Sequence, residues 1–197
     1  MPGVVEVVAA SANVPSQAEI DVQAQAQMAV LWERLERAKA AQLERPARSD
    51  PGPNGSTLWY VSGGLNYFQV NDDRIGLDEF LPRDLTVTSG DTVVWASTGF
   101  HAVTFNPSPI IPTVNLFEIL ADGSRARINN PAVFDPVKPT AVFDPTQYYV
   151  SGNLSRGQPG GTAWTLTFET PGTFEYYCAV HRDRGMVATI TVVERQG

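Results

Sequence analysis

Two periodicities divide the chain. From Ser16 to about Glu44 no Gly or Pro interrupts a segment dominated by Ala, Gln, Glu, Leu and Arg. Within it Met28, Leu31, Leu35 and Ala38 recur at three- and four-residue spacing, the stripe of an amphipathic helix. Ser16 with Glu19 three residues on predicts a capping box. Pro46 predicts the stop, because a residue before proline is pushed out of helical geometry. Residues 1–15 form a tail of small and aliphatic residues, residues 16–45 the helical appendage, and residues 46–55, rich in Pro and Gly, a linker. From residue 56 to 197 the period shortens to that of strands, predicted at Thr57–Ser62, Tyr67–Val70, Leu85–Thr88, Thr92–Ser97, Ala102–Phe105, Tyr148–Ser151, Ala163–Thr167, Phe174–Cys178 and Val187–Val193. The last of these alternates so that Val187, Thr189, Thr191 and Val193 share one face. Many short strands separated by Gly, Asp, Asn and Pro predict an all-β sandwich.

One stretch breaks the strand pattern. Residues 106–146 carry seven prolines and a small repeat, Ala132-Val133-Phe134-Asp135-Pro136 and Ala141-Val142-Phe143-Asp144-Pro145. Its length exceeds that of ordinary connections, so it is either functional or an ordered cap. Two similarly packed Phe-Asp-Pro turns are expected, and the insertion offers no chemistry of its own.

Composition narrows the function classes. A formal charge of −7 argues against nucleic acid, which calls for a basic face. Nothing approaches the run of about 18 apolar residues that spans a membrane. The first ten residues lack a basic leading segment, and Glu6 interrupts their apolar run. Either the protein is cytosolic as given, or Met1 begins a chain from which a signal has been removed. A single cysteine forms no internal disulfide and leaves the compartment open.

The chemistry is concentrated in very few residues. There are one cysteine, two histidines and three methionines in 197 residues. Cys178, His181 and Met186 lie in one short run, and His101 follows the strand that begins Gly90-Asp91-Thr92-Val93. A thiolate, two imidazoles and a weak axial thioether make the ligand set of a type-1 blue-copper electron-transfer site. Taken singly, Cys178 reads equally well as an inert buried thiol, His101 as a hydrogen-bonded core histidine and Met186 as core filling. Together they leave no cysteine or histidine for another purpose.

With both parts in this order, the chain from about Thr57 to Val193 resembles a plastocyanin-type cupredoxin. In that family Cys-x2-His-x4-Met closes the domain, and the first histidine follows a Gly-Asp-x-Val strand. The resemblance implies a Greek-key β-sandwich holding one copper ion, with His101, Cys178 and His181 equatorial and Met186 axial. It implies a soluble carrier of single electrons between redox partner proteins by Cu(I)/Cu(II) cycling. It also favours a periplasmic or other extracytoplasmic location, the signal having been removed. It further implies that the Ala102 N–H donates to the Cys178 sulfur. Two positions depart from the family. Ala102 and Ala179 stand where many plastocyanins carry an asparagine and a small hydroxyl residue, so that side-chain link is missing. Val180 stands where plastocyanins have proline, which has no N–H, so a second backbone donor to Cys178 becomes available.

Other functions find less support in these residues. A copper carrier or store without a shuttle role is the alternative, but such proteins usually present exposed Met or His clusters, and only Met186 lies in the motif. A copper oxidase needs further histidines, a binuclear copper site a second cysteine, and a zinc hydrolase an open position with a water-activating base. No enzyme is expected. His181, on the loop between strands, is the expected electron port. Beside it Arg182 and Arg184 are either a cationic rim for an acidic partner or two solvated arginines, one pairing with Asp183. The helix over 16–44 is a packed appendage, a spacer, or a surface for self-association or partner docking.

Overall fold

In the computed structural model the residues described are 7, 9, 13–44, 47–65, 76–97, 99–108, 110–155, 157 and 160–196. The predicted strand Tyr67–Val70 lies outside them.

The N-terminal helix α1 runs from Gln17 to Leu43. Its capping box forms as the sequence predicts: the Ser16 hydroxyl accepts from the Glu19 N–H, and the Glu19 carboxylate accepts from the Ser16 N–H at 2.8 Å. Satisfying both otherwise unpaired donors fixes the first turn. The apolar stripe is covered only towards its C-terminal half. Leu35 is buried and, with Ala38, packs on Leu77 and Leu81, whereas Met28 stays exposed.

Among the described residues twelve strands follow: β1 (Ser49–Pro51), β2 (Thr57–Leu65), β3 (Leu77–Leu81), β4 (Asp84–Thr88), β5 (Asp91–Ala96), β6 (Thr104–Phe105), β7 (Asn115–Ile119), β8 (Arg125–Asn129), β9 (Tyr149–Val150), β10 (Ala163–Phe168), β11 (Gly172–Tyr177) and β12 (Val187–Val193). One sheet has the order β1-β2-β5-β10, with β3 also on β2; the other has the order β4-β12-β11-β6-β9. Between these two sheets the chain crosses from β3 to β4, β4 to β5, β5 to β6, β9 to β10 and β10 to β11. This makes a sandwich with a helical appendage, as the strand periodicity predicts. In β12 the inward face is Ala188, Ile190 and Val192, and the alternate residues Val187, Thr189, Thr191 and Val193 form the outer face.

The core between the sheets is aromatic. Trp95, fully buried, meets Phe105, Trp164, Phe168 and Tyr176 with ring centroids 5.5–6.3 Å apart. Tilted and edge-on pairs of this kind add attraction beyond area burial. The sheets therefore give the loops at one end a rigid base.

The described residues of the insertion divide in role. β7 and β8 form a separate two-stranded hairpin, and a one-turn helix α2 (Pro131–Phe134) is capped by the Asn130 side chain. The two halves of the repeat do not pack alike, contrary to expectation. In the first, the α2 turn buries Val133 against Tyr177 and Ala179. In the second, the Phe143 N–H bonds the Thr167 carbonyl and its ring enters the main core. Asn130 caps the first copy into a helical turn, whereas the second lies along β10, so the same residues meet different neighbours.

Candidate metal centre

Cys178 follows β11 directly, and Met186 directly precedes β12. The turn between them is held by its own backbone. The His181 N–H bonds the Cys178 carbonyl (3.1 Å), the Met186 N–H bonds the His181 carbonyl (3.2 Å), and the Cys178 N–H bonds the Met186 carbonyl (3.0 Å). Gly185 closes it in the left-handed region, φ 87°, where a side chain costs energy. His101 is delivered by the segment between β5 and β6. Its carbonyl accepts from the Leu154 N–H at 2.7 Å.

These elements bring three of the four expected ligands together. The Nδ1 atoms of His101 and His181 are 3.1 Å apart, and the Cys178 Sγ lies 3.6 Å from His181 Nδ1. The ligand atoms of all three residues lie within 4.8 Å of one another. Cys178 is wholly buried, His101 is 7% exposed and the His181 side chain 12%. Met186, also wholly buried, belongs to the same core cluster as Cys178.

The electrostatics suit ligation. Burial, and next the neighbouring His181, push the His101 pKa down to about 4, against the opposite pull of Asp78. Burial also lowers that of His181, with Asp78 again opposing. Both rings are then neutral near pH 7 and keep a nitrogen lone pair for a metal. Burial raises the Cys178 thiol, while the N–H groups of Ala102, Val180 and His181 favour the thiolate and Asp78 opposes it. The Ala102 N–H donates to Sγ at 3.4 Å, and Ala102 and Ala179 offer no polar side chain across the site. Two nitrogens and one sulfur converging at a largely buried site are a soft, compact donor set that fits copper.

Three supporting features escape sequence reasoning. Gly64, at φ 82°, leaves the space occupied by the His101 ring; a Cβ there would stand 2.6 Å from His101 Nε2 and 2.7 Å from the Leu77 carbonyl. Ser97 accepts from the Gly99 N–H and donates to the Gly63 carbonyl, tying the His101 approach to β2. Asp78, on β3, places Oδ1 3.7 Å from His181 Nδ1 and Oδ2 3.0 Å from Arg184. A positive φ leaves its mark in the Gly63-Gly64 pair, but nothing in the sequence links β3 to the ligand loop.

The expected choice for the two arginines resolves differently. Arg184 pairs with Asp78, while Arg182 lies 3.8 Å from Glu175 and over the Tyr177 ring. Neither pairing is with Asp183. Two carboxylates offset the two guanidinium groups, so this rim is not a cationic patch.

The chain is similar in sequence to known proteins. A plastocyanin from Prochlorothrix hollandica is 27% identical over 125 residues, covering 60% of this chain and 70% of that protein. The chloroplastic plastocyanin of Physcomitrium patens is 25% identical over 115 residues, covering 57% of this chain and 49% of its own length. Among solved structures, oxidized plastocyanin from Dryopteris crassirhizoma aligns over 68% of this chain and 99% of its own, at 20% identity and a TM-score of 0.39. A purple cupredoxin from Nitrosopumilus maritimus aligns over 68% and 98%, at 17% identity and 0.32. Residues 69–193, more than half of the chain, match the family of copper binding proteins described as the plastocyanin/azurin family. Members of that family bind one copper and carry electrons rather than catalyse reactions. With two histidine nitrogens gathered on a buried cysteine sulfur inside a β-sandwich, this chain belongs to the plastocyanin/azurin family of copper-binding proteins.

Proposed function

We propose that this protein is a mononuclear type-1 copper carrier that passes single electrons between redox partners. His101, Cys178 and His181 would hold the copper, with the Met186 thioether as a weak fourth ligand. The observation that carries the reading is the convergence of two imidazole nitrogens on the sulfur of a fully buried cysteine. The copper supplies a one-electron couple when bound. The chain's part is to fix the ligands beforehand, so that little rearranges as charge changes. β11 and β12 hold the ends of the loop, while the sandwich fixes His101 from the other side. Ala102 and Val180 act on the sulfur through their N–H groups and tune the couple.

His181 is the port in this reading, since its side chain reaches the surface while Cys178 and Met186 do not. The exposed Ile20, Val22, Met28 and Trp32 of α1 support a role for that helix in self-association or partner docking. No helix among the described residues is long and apolar enough to cross a membrane. An extracytoplasmic location fits the reading, and fractionation of the native host tests it.

The decisive experiment adds Cu(II) to the metal-free protein and records the visible spectrum. An intense thiolate-to-copper band is expected at one equivalent and is lost in Cys178→Ser. A colour that survives in that variant, or no band in the parent, would sink the assignment.

A further inference from the structure

Asp78 lies outside the ligand motif, 106 residues before Arg184, yet its carboxylate reaches both the ligand loop and a ligand. The alternation of β3 explains how. Leu77, Glu79 and Leu81 share one face. There Leu77 and Leu81 pack with Leu35 and Ala38 of α1, and Glu79 pairs with Lys39 at 2.6 Å. Asp78 shares the other face with Phe80, which is buried in the sandwich core. The strand is thus pinned on both sides, and the Asp78 side chain, about one-third exposed, is presented to the loop. One oxygen accepts from Arg184 at 3.0 Å and the other lies 3.7 Å from His181 Nδ1.

We infer that Asp78 is a positioning and tuning residue. It clamps the ligand loop through Arg184 and sets a fixed negative charge beside the metal that favours Cu(II) over Cu(I). The inference rests on the copper reading above. With the thiolate counted, the oxidised centre carries one more positive charge than the reduced one, so a nearby anion stabilises the oxidised form. Arg184, farther out and 67% exposed, offsets part of that charge. The field of Asp78 on His101, His181 and Cys178 has the sign this requires.

The test has two arms. In the copper-loaded protein Asp78→Asn keeps the shape and removes the charge. It is expected to shift the Cu(I)/Cu(II) equilibrium towards Cu(I) by about tenfold, which for one electron is about 59 mV upward. Arg184→Gln leaves the carboxylate uncompensated and should move the potential downward, with the visible band retained in both. Mere loosening of the loop would move the two variants the same way, and that result, or an unmoved potential in Asp78→Asn, overturns the tuning role. In the copper-free protein the N–H groups of Arg184, Gly185 and Met186 bond carbonyls within the loop. Their amide hydrogen exchange should be several-fold faster in both variants, and unchanged exchange overturns the clamp. A parent protein that binds no copper would instead defeat the function proposed above, while the exchange arm would still decide the clamp.

Discussion

At the scale of single residues, the site depends on what surrounds the sulfur and the first histidine. Val180 offers an N–H where a proline would offer none, and that N–H favours the thiolate. Electron density held on the sulfur is donated less to Cu(II), so Val180→Pro should lower the potential by some tens of millivolts, about 59 mV being tenfold in the one-electron equilibrium. Cyclic voltammetry decides this, and an upward shift or none would count against it. Gly64 acts through space rather than charge. In Gly64→Ala the added methyl meets the His101 ring and the Leu77 carbonyl from a left-handed backbone, a strain of about 1–3 kcal/mol. Copper affinity in competition with a chelator is expected to fall by about tenfold or more, each 1.4 kcal/mol being a factor of ten. Unaltered affinity would mean that His101 has room the structure does not show.

Elements matter at the next scale because they carry the ligands and brace one another. β11 and β12 pair from Gly172↔Val192 to Tyr177↔Val187, so the ligand loop opens from a closed ladder. On the other sheet, β1 pairs with β2 although its sequence, Ser-Asp-Pro, reads as linker. A truncation meant to remove only the helix should therefore begin at Ala47 and keep β1. Copper binding is expected to survive it, since every proposed ligand lies beyond residue 100. Stability should drop by about 1.5–3 kcal/mol for the lost cover of Leu35 on Leu81 and Leu77, measured as a lower urea midpoint. Loss of copper binding in that variant would make the helix part of the site.

For the whole molecule, one carboxylate joins distant parts of the sandwich. Asp91, 1% exposed, accepts from the Thr57 and Thr88 N–H groups, Trp59 Nε1 and Arg195 at 2.8–3.0 Å. It thereby links the start of β2, the β4–β5 turn and the C-terminal segment. Burial opposes its ionisation, but the hydrogen bonds from Trp59, Thr88, Thr57 and Arg195 outweigh it, so the folded-state pKa lies below the ordinary value. A depressed carboxylate pKa stabilises the fold above the unfolded value, about 3.9. That contribution disappears as pH falls through the folded value. Urea midpoints between pH 6 and pH 2 should therefore decline less steeply in Asp91→Asn than in the parent. Asp91→Ala, which strands four donors, should cost about 3–5 kcal/mol at neutral pH. An acid limb identical in both proteins would place the titration elsewhere.

The sequence alone determined the elements with strong local rules. The capping box and the Pro stop defined α1, and alternation defined the long strands. The rarity of Cys and His, with Cys178, His181 and Met186 at the spacing of one closing loop and His101 after a Gly-Asp-x-Val strand, singled out the four candidate ligands. What local rules do not encode had to wait for the tertiary structure. β3 hides its strand character behind Asp78 and Glu79, because one face of it is covered by a helix and the other meets the ligand loop. The two copies of the Phe-Asp-Pro repeat diverge because Asn130 caps one and β10 pairs with the other. The sequence leaves open whether the arginines beside His181 form a cationic rim or are simply solvated, because Asp78 and Glu175 reach them only from β3 and β11. A candidate ligand set is a matter of residue type and motif, which a sequence displays. The charge and space around the ligands come from side chains far apart in the chain, and only the packing of the sandwich brings them together.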